Sequence, residues 1–175
     1  MSPSTITATL QTAGSHRPHH MAAAKNEDVA VARQPAVVDL CCGAGGFSCG
    51  FHQAGWRILL GADVCGHSLA TFRHNLETTA LHIDLMANGA RQALKESAGS
   101  ESIQAVIAGP PCQGFSRAGK RQLIDPRNDV TLAVARAAVA LLPTIVILEN
   151  VPDVMTSRYR QFFAKTRGVF LRSDY

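Results

Sequence analysis

Five short apolar runs along the chain each stop at residues with chemistry to offer. That repetition constrains the fold more than any other feature of the sequence. Ala36–Leu40 (AVVDL) carries Asp39 and runs into a glycine cluster, and Trp56–Ala62 (WRILLGA) stops at Asp63. Leu81–Ile83 stops at Asp84, Ile103–Ala108 (IQAVIA) at Gly109-Pro110-Pro111, and Thr144–Leu148 (TIVIL) at Glu149-Asn150. The segments between them read as helices. These are Phe47–Ala54, Ser68–Leu76 with Leu69, Phe72 and Leu76 on one face, Gly89–Ser97, and alanine-rich Thr131–Leu142 closed by Pro143. Strands alternating with helices predict an α/β chain with a mostly parallel sheet covered on both faces. In such sheets ligands bind outside the carboxyl ends of the strands, which is where these residues fall.

The 175 residues allow one domain at roughly 100–200 residues each. Residues 1–34, rich in Ser, Thr, Ala and His without an apolar period, are expected to be a disordered lead-in, and 35–175 the domain. His16, His19 and His20 in that lead-in are read as solvated, so no metal site is expected. The five cysteines are odd in number and two are adjacent, which argues against a disulfide framework and for a reducing, intracellular compartment. That compartment is the cytoplasm or nucleoid in a bacterium, or the nucleus in a eukaryote. No uncharged apolar run reaches the ~18 residues of a membrane helix, so a soluble protein is expected.

The net charge of +4 is unevenly spread. Residues 36–150 carry nine basic and nine acidic groups, whereas 151–175 carry five basic and two acidic. Within the neutral middle, Arg117, Lys120, Arg121 and Arg127 stand against Asp125 alone. A solvated loop and tail account for this, and so does a polyanionic partner.

Three strand exits carry the chemistry. The first reads D-L-C-C-G-A-G-G-F-S, and Gly43, Gly45 and Gly46 let a ligand approach the backbone. A dinucleotide fingerprint counted from Gly43 would want glycine where Ser48 stands, so a diphosphate is disfavoured. The readings left are a nucleoside ligand whose ribose is held by Asp63, and a plain strand-to-helix turn. At the fourth exit, G-P-P-C-Q-G-F-S, two prolines present Cys112 from a stiff backbone. That favours a nucleophile over a packing cysteine, with the basic loop downstream available to stabilise the thiolate. At the fifth exit Glu149 would lie beside Cys112 if the two strands are adjacent. A partly desolvated carboxyl there could donate a proton to a ring nitrogen, although taken alone the residue reads better as a surface or helix-capping glutamate.

Together these residues resemble the cytosine-5 DNA methyltransferases over about residues 36–152. The matching elements are Asp39–Phe47, Asp63, Asp84, Pro111-Cys112-Gln113, Asp125–Arg127 and Glu149-Asn150-Val151, in the family's order. The resemblance implies a Rossmann-like core that uses S-adenosylmethionine and acts on a cytosine flipped out of DNA. Cys112 would attack C6, Glu149 would bond and protonate N3, and C5 would take the methyl group. Asp39, Cys41, Gly43, Ala44, Gly45, Gly46, Asp63, Asp84 and Pro110 would form the cofactor site, with Asp63 on the ribose and Asp84 on the adenine amino group. The Gln113–Asp129 loop would close over DNA through Gln113, Ser116, Arg117, Lys120, Arg121 and Arg127. Such enzymes serve DNA methylation, including restriction-modification.

Two departures stand out. Cys41 replaces the phenylalanine that commonly packs on the adenine. After residue 152 no Gln-x-Arg-x-Arg motif, recognition domain or closing Asn motif follows, and Gln161–Lys165 does not match the first of these. The resemblance therefore implies a truncated core: a fragment, or one part of a split enzyme whose partner chain supplies the rest. The alternatives are an inactive binding or regulatory remnant and a tRNA cytosine-5 methyltransferase. The last strand is expected to be an unpaired edge.

Overall fold

The computed structural model describes residues 33–111, 128–152, 160–173 and 175. Ten elements alternate: β1 (Ala36–Leu40), α1 (Gly46–Gln53), β2 (Arg57–Asp63), α2 (Gly66–Leu76), β3 (Ala80–His82), α3 (Ala90–Ala98), β4 (Ala105–Ala108), α4 (Asn128–Ala140), β5 (Ile145–Leu148) and α5 (Arg160–Leu171). The strands form one sheet in the order β3-β2-β1-β4-β5, and all four pairings are parallel. Strand order reverses between β1 and β4, which opens a crevice between their carboxyl ends. A register shift between Val37 and Val38 leaves Leu59 of β2 without a partner and pairs Asp39 with Gly61.

The three central strands are buried because most of their positions are apolar, as crossover helices require. On one face Val37, Ile58, Ala105 and Ile107 pack against Leu69 and Phe72 of α2, with Phe47, Phe51 and Trp56 alongside. On the other, Val38, Leu40, Leu60, Leu81 and Val106 meet Leu94 of α3 and Val134, Ala137 and Ala138 of α4. Helix α5 lies against α4. Gly61 lets the first face close up: a Cβ there would stand 2.2 Å from the ring of Phe72.

The observed elements correct the sequence reading at several ends. Ser68 reads as a helix start, but the Asp63 carboxylate accepts the Cys65 amide and α2 begins at Gly66. Asn128 and Asp129 belong to α4, so the loop expected to reach Asp129 ends before Asn128. An acid in the first turn suits the positive end of the helix dipole. Strand β5 departs from the expectation of two covered faces. Val146 and Leu148 pack inward, while Ile145 and Ile147 are 49% and 39% exposed.

Candidate active site

The chain leaves β1 through a turn that only a few residue types accept. Gly43 and Gly45 have φ of 54° and 94°, and Cys41 adopts φ 57° without being glycine. A Cβ on Gly45 would lie 2.9 Å from both Phe72 and Leu76, so the turn presses on α2. Space beside the Cα atoms of Gly43 and Gly46 is open, with no atom within 4 Å of where a Cβ would be. The turn is therefore closed toward the core and open toward the crevice.

Asp63 ties this turn to the end of β2. Its Oδ2 accepts the Gly43 amide at 2.8 Å and its Oδ1 accepts the Cys65 amide at 2.8 Å. Each carboxylate oxygen keeps a lone pair, so the half-buried group remains able to accept two ligand hydroxyls. Asp84 stands exposed just beyond β3, with Oδ1 accepting the Met86 amide at 2.9 Å and Oδ2 without a partner among the described residues. Cys41 lies between these acids. Burial first, and then the charges of Asp63, Asp39 and Asp84, push its thiol up to about 12. It is a neutral, half-buried wall of the site. Burial likewise raises the Cys42 thiol.

Asp39 sits beneath the turn, 1% exposed. The Ser48 hydroxyl donates to its Oδ2 at 2.7 Å, while Oδ1 is buried without a partner among the described residues. Burial pushes its carboxyl up to about 7, the Ser48 hydroxyl and amide oppose the rise, and the Asp63 charge adds to it. Ser48 thus pins α1 to β1 through a buried carboxyl. In the sequence it registers only as a departure from a glycine fingerprint, and its nine-residue separation from Asp39 carries no local periodicity. Val64, 65% exposed beside Asp63, is another residue the sequence reading passes over, since nothing local marks an apolar residue at a strand end as solvent-facing.

Across the crevice, β4 and β5 are neighbours, as a role for Glu149 beside Cys112 requires. The Glu149 amide donates to the Ala108 carbonyl at 2.9 Å, and its Oε2 lies 3.8 Å from where a Cβ on Gly109 would stand. Pro110 is buried and fixes the backbone that leads to Cys112. The Glu149 side chain is exposed, not partly desolvated as the sequence reading had it, because none of the described elements reaches over this strand end. Cys112, Gln113, Ser116, Arg117, Lys120, Arg121 and Arg127 lie outside the described residues. The cofactor-site candidates Asp39, Cys41, Asp63 and Asp84 are thus brought together around one turn, with Gly109, Pro110 and Glu149 on the neighbouring strand ends.

Known proteins resemble this chain in sequence and in fold. The family model of the C-5 cytosine-specific DNA methylases matches residues 36–175, the whole of the sheet and its helices. The chain belongs to this family. Among the relatives of this methylase chain, the type II methyltransferase M.XorII of Xanthomonas oryzae is 33% identical over 144 residues, covering 81% of this chain and 34% of the relative. M.HgiGI of Herpetosiphon aurantiacus is 36% identical over 124 residues, covering 71% of this chain and 96% of that one. A solved structure described as a DNA modification methyltransferase encoded within an E. coli prophage superposes with a TM-score of 0.67 at 26% identity, over 79% of this chain and 38% of that one. The methylase chain therefore spans about a third of the length of M.XorII. Among its described residues no helix is long and apolar enough to cross a membrane.

Proposed function

We propose that the chain carries the cofactor-binding and nucleophile-bearing part of a DNA (cytosine-5-)-methyltransferase, with S-adenosylmethionine as methyl donor. The observation that carries this reading is the β4–β5 pairing, which sets Glu149 beside Gly109, three residues before Cys112, across the crevice from the turn tied by Asp63. The residues present fit the cofactor. Gly43 and Gly46 leave open space for a ligand against the backbone, Asp63 retains acceptors for ribose hydroxyls, and Asp84 retains one for an adenine amino group. The carboxylates around Cys41 also favour a cationic ligand. When bound, S-adenosylmethionine supplies an electrophilic methyl group on a sulfonium leaving group.

The protein's own residues prepare the acceptor. The Cys112 thiolate adds to C6 of a flipped cytosine, moving electron density to C5. Glu149 gives a proton to N3, so that negative charge does not accumulate on the ring. Its exposure leaves the carboxyl open to a base that arrives at this strand end. Once C5 is methylated, loss of its proton and expulsion of Cys112 restore the aromatic ring. DNA is favoured over RNA as the substrate because the relatives are type II methyltransferases and the solved neighbour is described as a DNA modification enzyme.

Duplex DNA containing 5-fluorocytosine tests the reading. Lacking a C5 proton to lose, the fluorinated base should remain attached, giving a denaturation-resistant adduct in the presence of S-adenosylmethionine. The adduct is expected with the wild type and absent with Cys112→Ala, and Glu149→Gln should slow its formation more than tenfold. No adduct with the wild type, with or without added candidate partner chains, overturns the proposal in favour of a binding remnant.

A further inference from the structure

Away from the crevice, the outer surface formed by α3, α4 and α5 carries a feature the transfer chemistry does not use. A cavity of about 740 Å³ lies between α3 and α4, with Arg91 and Lys95 on one wall and Arg136 on the other. A second, of about 430 Å³, shares Arg91 and Arg136 with it and adds Arg172 at the end of α5. Shared walls make them one groove. Among the described residues that line it, Asp129 alone is acidic. All four cations are exposed, and among the described residues none is engaged in an ion pair.

Four exposed cations along one groove, with one carboxylate among its described lining residues, create a positive potential that favours an anion. Their placement bears on what that anion is. Arg91 and Lys95 are one helical turn apart on α3, Arg136 faces them from α4, and Arg172 follows where α5 ends. The groove runs beside α4, whose 13 residues span about 20 Å. Cations distributed over such a length suit successive phosphates of a strand better than one compact phosphate. One end also meets the proposed active site, because Leu85–Gly89, which line the first cavity, directly follow Asp84 at the carboxyl edge of the sheet.

We propose that the α3–α4–α5 groove is a phosphodiester-binding track, in which Arg91, Lys95, Arg136 and Arg172 hold the backbone of DNA that extends beyond the reacting base. It rests on the reading of this chain as a DNA methyltransferase but involves none of the residues given a role in transfer. Contacts of this kind are made to phosphate and not to base edges, so they contribute affinity and salt dependence without sequence preference.

The test measures binding of a fluorescent 24-base-pair duplex by anisotropy across a salt series, for the wild type, Lys95→Gln, Arg136→Gln and the double variant. Each single change is expected to weaken binding about threefold or more at low salt and to lower the slope of log K against log salt by ~0.9, with the double variant losing about twice that. Thermal melting of the same samples should show little change, since both side chains are exposed. If the double variant melts below the wild type, Arg91→Gln with Arg172→Gln provides a second comparison and should lower the slope to a similar extent. A wild-type slope and affinity in the folded double variant, or no duplex binding by the wild type, overturns the track. Inorganic tripolyphosphate separates the two phosphate sources. If it raises the melting temperature in a Lys95- and Arg136-dependent way while duplex binding is indifferent to both residues, the groove takes a free polyphosphate and the DNA assignment is wrong. Failure of the transfer reading is read separately, from the 5-fluorocytosine adduct.

Discussion

At Asp39 the environment reverses what a carboxylate ordinarily does. The side chain is buried under the glycine turn, accepts the Ser48 hydroxyl, and has its pKa pushed up to about 7. In the unfolded chain the same group titrates near 3.8. Between those values the folded state binds a proton that the unfolded state does not. The stability contributed by protonation is therefore complete below about pH 4 and lost as pH rises through about 7. Each unit in that window costs up to ~1.4 kcal/mol. Replacing Asp39 with Asn removes the titration, so urea melts at pH 5, 6 and 8 should show the stability of wild type relative to Asp39→Asn falling as pH rises. A constant difference would place the titration elsewhere. Cys41 carries backbone strain: a φ of 57° on a non-glycine costs on the order of 1–3 kcal/mol and is retained at the wall of the site.

Among the elements, the contact that positions the site is that of the glycine turn and α1 with α2. Gly45 and Gly61 both admit the Phe72 ring, one from the turn and one from β2. Gly45→Ala would set a methyl group 2.9 Å from Phe72 and Leu76 on a residue with φ 94°, combining overpacking with a disfavoured backbone. Thermal or denaturant melting should show a loss of roughly 2–4 kcal/mol. Gly46→Ala, with open space around it and no positive φ, serves as the control and should cost under ~1 kcal/mol. Strand β5 has no such partner on one side: Ile145 and Ile147 face outward at the edge of the described sheet. An apolar run as uniform as TIVIL reads as buried on both faces, and no periodicity in it marks one face as open.

For the whole molecule, the crevice exists because strand order reverses between β1 and β4, and on its β2 side Asp63 ties the turn after β1 to the end of β2. A ligand held there binds the native state alone and so stabilises the entire fold. S-adenosylmethionine at a hundred times its Kd should raise stability by about 2.7 kcal/mol, read as a shift in melting temperature. Asp63→Ala should abolish most of that shift, as it removes the carboxylate proposed to accept the ribose hydroxyls together with the tie to the Gly43 amide. An undiminished shift in the variant would remove Asp63 from the cofactor site.

The alternation of apolar runs with helical segments, the residues at each strand exit and the motif order were written locally, which is why the sequence by itself determined the parallel α/β architecture and the family. A strand's apolar run, a glycine turn and a Pro-Pro-Cys segment each need only a few neighbours in the chain to be recognised. What joins residues distant in sequence was decided by tertiary structure. The Ser48 hydroxyl on Asp39, the Asp63 carboxylate beneath Gly43, the fit of Phe72 over Gly61 and the convergence of Arg91, Arg136 and Arg172 all depend on how elements pack. The exposure of Glu149 belongs with them, since a strand end is desolvated only by whatever crosses it. Burial and charge proximity are properties of three-dimensional packing, and no local pattern of residue types encodes them.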